Sequence, residues 1–215
     1  MTSFTNSMKR KILAKVVLLF SFLILFNTLD VFGQKNILMF GDSITAGYGL
    51  TEEQAYPALI QNRIDSLGLD HNVINAGLSG ETTAGGARRV DWILQQEVDI
   101  FMLGLGGNDG LRGIDPSNTK KNLITIIEKV REKDPAINVI LAGMEAPPNL
   151  GQQYTTEFRS VFSEVASEKD VTFMPFLLKD VAGNDELNQA DGIHPTAKGQ
   201  QIIADNIWEY LEPLL

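Results

Sequence analysis

Two histidines and no cysteine limit the chemistry open to this 215-residue chain. Ser43 stands in Gly41-Asp42-Ser43, directly after the apolar run Ile37-Leu38-Met39-Phe40. A serine hydroxyl becomes a nucleophile only when a base takes its proton. Any catalytic imidazole here is His71 or His194. His194 lies in Asp191-Gly192-Ile193-His194-Pro195, where Pro195 stiffens the loop after the histidine. Asp191 is close enough in the chain to turn back on the ring. A carboxylate there fixes the tautomer and favours the imidazolium formed as serine attacks. His71, in Leu69-Asp70-His71-Asn72, leads into a strand and so belongs at the strand end opposite Ser43, where a surface position is expected. Acyl transfer also needs fixed donors where the oxyanion develops. Gly80 can bring its N–H close to a ligand. Asn108 can offer its side-chain amide, and the Ser43 N–H, at a helix or turn start, is a third donor. Taken singly, Ser43 reads equally well as a helix cap, Gly80 as a turn glycine, and Asn108 as a turn residue after Gly106-Gly107.

Each of these residues must be carried by an element. A short apolar run bounded by glycine suits a strand buried on both faces. Asn72–Ala76, Ile100–Leu105, Val139–Met144 and Val171–Phe176 read as four more strands. Helical spacing recurs between them. Tyr56, Leu59, Ile60, Ile64 and Leu67 form one stripe; Val90, Ile93 and Leu94 a second; Leu123, Ile124, Ile127 and Val130 a third. Tyr154, Phe158, Val161, Phe162 and Val165 form a fourth, and Ile202, Ile203, Ile207, Trp208 and Leu211 the last. Asp115-Pro116 is a helix start, N-cap then first turn. Five strands alternating with five helices predict an α/β protein: a five-stranded parallel sheet in a three-layer α/β/α, flavodoxin-like arrangement. In such a sheet all strands point one way. The ends of the first three converge on one rim, and those ends carry Ser43, Gly80 and Asn108.

Four blocks then stand in order: Gly41-Asp42-Ser43-Ile44-Thr45-Ala46-Gly47-Tyr48-Gly49, Ser79-Gly80-Glu81-Thr82, Gly106-Gly107-Asn108-Asp109-Gly110-Leu111-Arg112-Gly113, and Asp191-Gly192-Ile193-His194-Pro195. Together they resemble the SGNH (GDSL) hydrolases, in the branch containing thioesterase I/lysophospholipase L1 and bacterial arylesterases. The resemblance covers nearly all of the chain after residue 33. It implies a serine hydrolase of acyl esters or thioesters with the SGNH fold. It implies Ser43, Asp191 and His194 as the triad, and Ser43, Gly80 and Asn108 as the oxyanion donors. In related thioesterases the loop after the fourth strand borders the acyl pocket, which implies Ala146, Pro147 and Pro148 as lining here. No metal or cofactor is expected. The G-x-S-x-G elbow of the α/β-hydrolases is absent. A carbohydrate acetylesterase of the same superfamily, or a binding module that kept the fold, are the alternatives.

Composition bounds the partners. The formal charge of −9 argues against nucleic acid, whose binding footprint is basic. The absence of cysteine excludes disulfides, thiolate metal sites, a cysteine nucleophile and a cysteine-linked lipid anchor. Lys9, Arg10, Lys11 and Lys15 precede the apolar run Val16–Phe26. A basic head and a run of that length is the pattern of a secretory signal peptide, and the run is short for a membrane span. Val31 and Gly33 suit a cleavage site after Gly33. Residues 1–33 are therefore expected to be a signal peptide, with an uncleaved anchor as the alternative, and 34–215 the hydrolase domain. Removing the segment takes away four cations and Asp30, leaving 14 Lys+Arg against 26 Asp+Glu and a net −12. The mature protein is expected to be a secreted or periplasmic monomer acting on a small acyl ester or thioester, without stable membrane insertion.

Overall fold

Ile37, Leu38, Met39 and Phe40 have no exposed surface in the computed structural model of the chain, which describes residues 33–215. Consecutive side chains on a strand point to opposite faces, so such a run is buried only where helices cover both. That strand, β1 (Asn36–Gly41), pairs in parallel with β2 (Asn72–Gly77) on one side and β3 (Ile100–Gly104) on the other. β4 (Asn138–Ala142) and β5 (Thr172–Met174) continue beyond β3. The order is β2-β1-β3-β4-β5 and every pair is parallel, which is the flavodoxin-like arrangement expected. The winding reverses between β1 and β3. The crevice over the carboxyl ends of those two strands is where an open α/β sheet binds ligands.

The described residues form seven helices rather than five: α1 (Ser43–Ala46), α2 (Tyr56–Ser66), α3 (Thr83–Ile93), α4 (Gly107–Leu111), α5 (Pro116–Lys133), α6 (Gln152–Lys169) and α7 (Ala197–Leu211). The two unexpected ones, α1 and α4, have four and five residues, too few to show a helical period. They follow β1 and β3 directly and so stand at the point of reversal. α2 packs on α7, while α5 packs on both α3 and α6, giving the outer two layers. Asp115 caps α5 by accepting the Ser117 amide, and Pro116 takes the first helical position.

Two expectations are corrected. Leu67 does not join the core: α2 ends at Ser66, and Leu67 turns outward as its C-cap, 56% exposed. His71 is buried rather than on the surface. Its Nδ1 accepts the Lys35 amide at 3.1 Å, tying the approaches to β1 and β2 together, and a polar ring so bonded can be buried. It does lie at the strand end away from Ser43. Among the described residues no helix is long and apolar enough to cross a membrane. The segment read as a signal peptide falls on residues 1–33, of which 1–32 lie outside the described residues.

Candidate active site

The turn after β1 separates capping from chemistry. Asp42 is the N-cap of α1, its Oδ1 accepting the Ile44 amide at 3.0 Å. Ser43, the first residue of the helix, is thereby free of the capping role. The turn is held from three sides. α1 lies against the end of β2 so closely that a Cβ on Gly77 would come 2.3 Å from the Ala46 nitrogen. The buried Gln200 of α7 donates to the Ile44 carbonyl at 2.9 Å and accepts the Tyr56 amide at 2.9 Å. Thr45 Oγ1 and the Tyr56 hydroxyl bond at 2.7 Å in the core. A buried polar network satisfied in this way is rigid.

The loop before α7 brings the imidazole to Ser43. Asp191 Oδ1 accepts the backbone amides of Ile193 and His194 at 2.9 and 3.0 Å, which curls the loop and aims the ring. Asp191 Oδ2 lies 2.7 Å from His194 Nδ1. With Nδ1 as donor to the carboxylate, Nε2 is left to accept the Ser43 hydroxyl, 3.0 Å away. Gln189 anchors the base of the loop. Its Nε2 donates to the Tyr48 and Pro195 carbonyls at 2.7 and 3.0 Å, and its amide to the His194 carbonyl at 2.7 Å. The Tyr48 ring lies over the imidazole, centroids 4.4 Å apart. The donors from the His194 ring, then the His194 and Ile193 amides, hold the Asp191 carboxyl down at about 2. Asp191 is thus an anion through the neutral and mildly acidic range, as an orienting carboxylate requires.

Asn108 bridges the other two strand ends. Its Nδ2 donates to Glu81 O at 3.1 Å and to Asp42 Oδ2 at 3.2 Å. It therefore touches the neighbour of Gly80 on one side and the neighbour of Ser43 on the other. Gly80 has φ +78°, a left-handed conformation that glycine adopts without strain, and its carbonyl accepts from Arg112 at 3.0 Å. Among the described residues neither the Ser43 nor the Gly80 amide donates to the protein. Asp109, fully buried, accepts the Thr83 amide at 2.8 Å and so locks the start of α3 to α4.

Beside this constellation lies a cavity of about 490 Å³. Ile44, Leu111, Met144, Phe176, Leu178 and Ile193 give it an apolar wall, and Ala146, Pro147 and Pro148 also line it. Ile44, Gly107 and Ile193 are the chain neighbours of Ser43, Asn108 and His194, so the cavity borders the turns that carry those side chains. The arrangement can deliver a serine alkoxide to a carbonyl and hold the attached apolar chain.

Ser43, Gly80, Asn108, Asp191 and His194 are thus gathered on one rim. Asp42, Tyr48, Gln189 and Gln200 carry no role in the sequence reading. The cap at Asp42 had a signal, an acidic residue just ahead of a helix. Gln189 and Gln200 act on backbone carbonyls and amides across long sequence separations, which leave no local pattern.

Comparison with known proteins identifies the family. Residues 39–202 match the model of the GDSL-like lipase/acylhydrolase family. The chain is 40% identical over 182 residues to the esterase TesA of Pseudomonas aeruginosa, covering 84% of this chain and 90% of that protein. It is 35% identical over 197 residues to thioesterase 1/protease 1/lysophospholipase L1 of Escherichia coli K12, covering 91% and 92%. The crystal structure of TesA superposes with a TM-score of 0.80, covering 84% of this chain and 100% of the other.

Proposed function

The chain belongs to the GDSL-like lipase/acylhydrolase family and is an esterase, and on that premise we propose that Ser43, His194 and Asp191 are its triad. The Ser43 and Gly80 amides and the Asn108 side chain are its oxyanion donors. Ser43 Oγ attacks the carbonyl carbon of an ester or thioester as its proton passes to His194 Nε2. The tetrahedral oxyanion sits against the three donors. His194 returns the proton to the departing alcohol or thiol, leaving an acyl-Ser43 ester. Water, deprotonated by His194, then repeats the attack and releases the carboxylic acid. The observation that carries this reading is the unbroken chain from Ser43 Oγ to His194 to Asp191, at 3.0 and 2.7 Å, beside an apolar cavity. The Asn108 amide protons are both already engaged, at 3.1 and 3.2 Å, so an oxyanion takes a share of one long bond rather than a free donor. Catalytic hydrogen bonds are often long before substrate arrives.

The cavity supports acyl chains longer than acetyl. Its volume falls within the roughly 300–1,000 Å³ of small-molecule sites, and its wall offers mostly carbon. A panel of p-nitrophenyl esters from acetyl to dodecanoyl, with Ser43→Ala as control, tests this; kcat/KM is expected to climb with chain length before levelling. A fall beyond acetyl would point to a carbohydrate acetylesterase instead. The half-buried Ala146 packs on the core beside the cavity. Ala146→Phe should push out two or more methylenes at about 0.8 kcal/mol each, costing octanoyl esters about tenfold in kcat/KM while sparing acetyl. Equal losses for both esters would remove Ala146 from the pocket.

The acid side of the pH profile tests the base. Because Asp191 is held at about 2, it keeps its charge as the medium is acidified toward pH 4, whereas the buried Asp42 carboxyl, at about 6, gains a proton in that range. An imidazolium cannot accept the Ser43 proton, so kcat/KM should fall on the acid side, approaching about tenfold per pH unit for each proton that must be absent. A profile flat down to about pH 4 rules out a histidine base.

Residues 1–33 are proposed as a secretory signal, on their basic head and apolar run, with the mature enzyme outside the cytoplasm; amino-terminal sequencing of the product tests it. Action as a monomer is proposed, checked by light scattering.

A further inference from the structure

Asp42 sits between the nucleophile and the oxyanion donor, and the mechanism above gives it nothing to do. It is 1% exposed. One oxygen, Oδ1, is committed to the Ile44 amide at the start of α1. The other, Oδ2, accepts from Asn108 Nδ2 at 3.2 Å. Gly107, one residue before Asn108, faces the same oxygen, and a Cβ there would lie 3.2 Å from it. A primary amide can turn its two ends round with little change of shape, and only hydrogen-bond partners decide which end faces where. At Asn108 the decision is unambiguous. Both neighbours of Nδ2 are acceptors, the Asp42 carboxylate and the Glu81 carbonyl. The reversed amide would press Oδ1 against two oxygens at about the same separations.

We infer that Asp42 is a positioning residue for oxyanion stabilisation: its carboxylate, with the Glu81 carbonyl, holds the Asn108 amide with its N–H end toward the reacting carbonyl. The inference rests on the donor role assigned to Asn108. It gives the buried carboxylate a use. Burial pushes the Asp42 carboxyl up to about 6, against the pull of the Ile44 and Asn108 donors and of His194, and with Asp109 adding to the rise. A group held ionised against burial is a candidate for function, since a neutral cap would serve α1 as well.

Asp42→Asn is the informative change. Asparagine is as good a cap as aspartate, so its Oδ1 keeps the Ile44 amide. Its Nδ2 then replaces Oδ2 and meets Asn108 Nδ2 donor to donor. Whichever way Asn108 turns, one of its two neighbours is now mismatched, and the amide loses its single orientation. Asp42→Ser, which caps but offers Asn108 no carboxylate, is the second variant. Both are measured on a neutral p-nitrophenyl ester, alone and combined with Asn108→Ala, with thermal midpoints at pH 8 to confirm folding.

The expected result is a fall in kcat of about tenfold to a hundredfold for either Asp42 variant, with KM within about twofold, because the oxyanion exists only in the transition state. In the Asn108→Ala background the same Asp42 change should cost less than about twofold, since residues acting as one unit are not additive. A residue that merely supports the fold would cost the same factor in both backgrounds, and that outcome overturns the inference while leaving the donor role intact. An unchanged kcat in Asp42→Asn also overturns it. If Asn108→Ala itself keeps full kcat, the donor role and the inference fall together.

Discussion

Ser43→Ala is expected to lower kcat on p-nitrophenyl esters by roughly four to six orders of magnitude while leaving the fold in place. Both halves of that expectation come from the turn after β1. The cap of α1 is Asp42, so removing the Ser43 hydroxyl leaves the helix start intact. Alanine is a better helix former than serine, and the lost Oγ–Nε2 hydrogen bond is worth about 0.5–1.5 kcal/mol net. The thermal midpoint should therefore move by only a few degrees. Catalysis has no substitute at that position. The neighbouring hydroxyl, Thr45, is fully buried and bonded to Tyr56, and so cannot reach a substrate. What survives is the rate given by binding and the oxyanion donors alone. A fluorophosphonate probe followed by intact mass gives an independent check, with one adduct on the parent and none on the variant. A variant that keeps more than about 1% of parental kcat, free of contaminating esterase, would falsify the assignment of Ser43.

The elements that carry this site could be read before the structure because each had a physical signature of its own. β1 and β3 are runs of four buried apolar residues ending in glycine, the signature of a short strand covered on both faces. The start of α5 could be read from Asp115 and Pro116 because capping chemistry is local. Once five strands alternated with helices, the handedness rule left few topologies, and the carboxyl ends of β1, β2 and β3 had to share a rim. Ser43, Gly80 and Asn108 follow from that placement, and His194 from being the one histidine not assigned to the opposite end.

What stayed hidden was hidden for equally physical reasons. α1 and α4 are shorter than the window in which a helical period can be recognised, yet they hold Ser43 and Asn108. His71 looked like a loop histidine because its partner, the Lys35 amide, is 36 residues away. Burial of a polar ring depends on that partner and not on the residues beside it. Gln189 and Gln200 act in the same way, at a range of 141 residues to the Tyr48 carbonyl and 156 to the Ile44 carbonyl. The general lesson is that apolar burial is written in periodicity, while polar positioning is written in contacts that periodicity does not encode.

Asn108→Ala carries the second largest expected effect, a loss of about a hundredfold to a thousandfold in kcat with little change in KM. The asymmetry between the two constants matters. A ground-state carbonyl asks little of the Asn108 amide, whereas the full charge of the tetrahedral oxyanion asks for it at once, so the interaction belongs to the transition state. The same substitution should also cost stability, and the pH at which it does so identifies the cause. Asn108 is one of two donors that hold the buried Asp42 carboxyl down against desolvation. Asp42 already stands at about 6 when folded, above its ordinary 3.8, so its ionised form opposes folding increasingly as pH rises between those values and fully above them. Deleting Asn108 raises the folded value further and deepens that opposition. At pH 8, where the parent carboxyl is charged, the variant should lose about 1.5–3 kcal/mol, the worth of a hydrogen bond to a charged group. Well below pH 6, where Asp42 is protonated in both proteins, this charge-dependent part of the gap should close. Urea unfolding of parent and variant at pH 5 and pH 8, alongside kcat at pH 8, separates the two effects. A stability gap independent of pH would mean that Asn108 supports the fold through packing alone, and a loss in kcat/KM carried by KM with kcat unchanged would deny it the oxyanion.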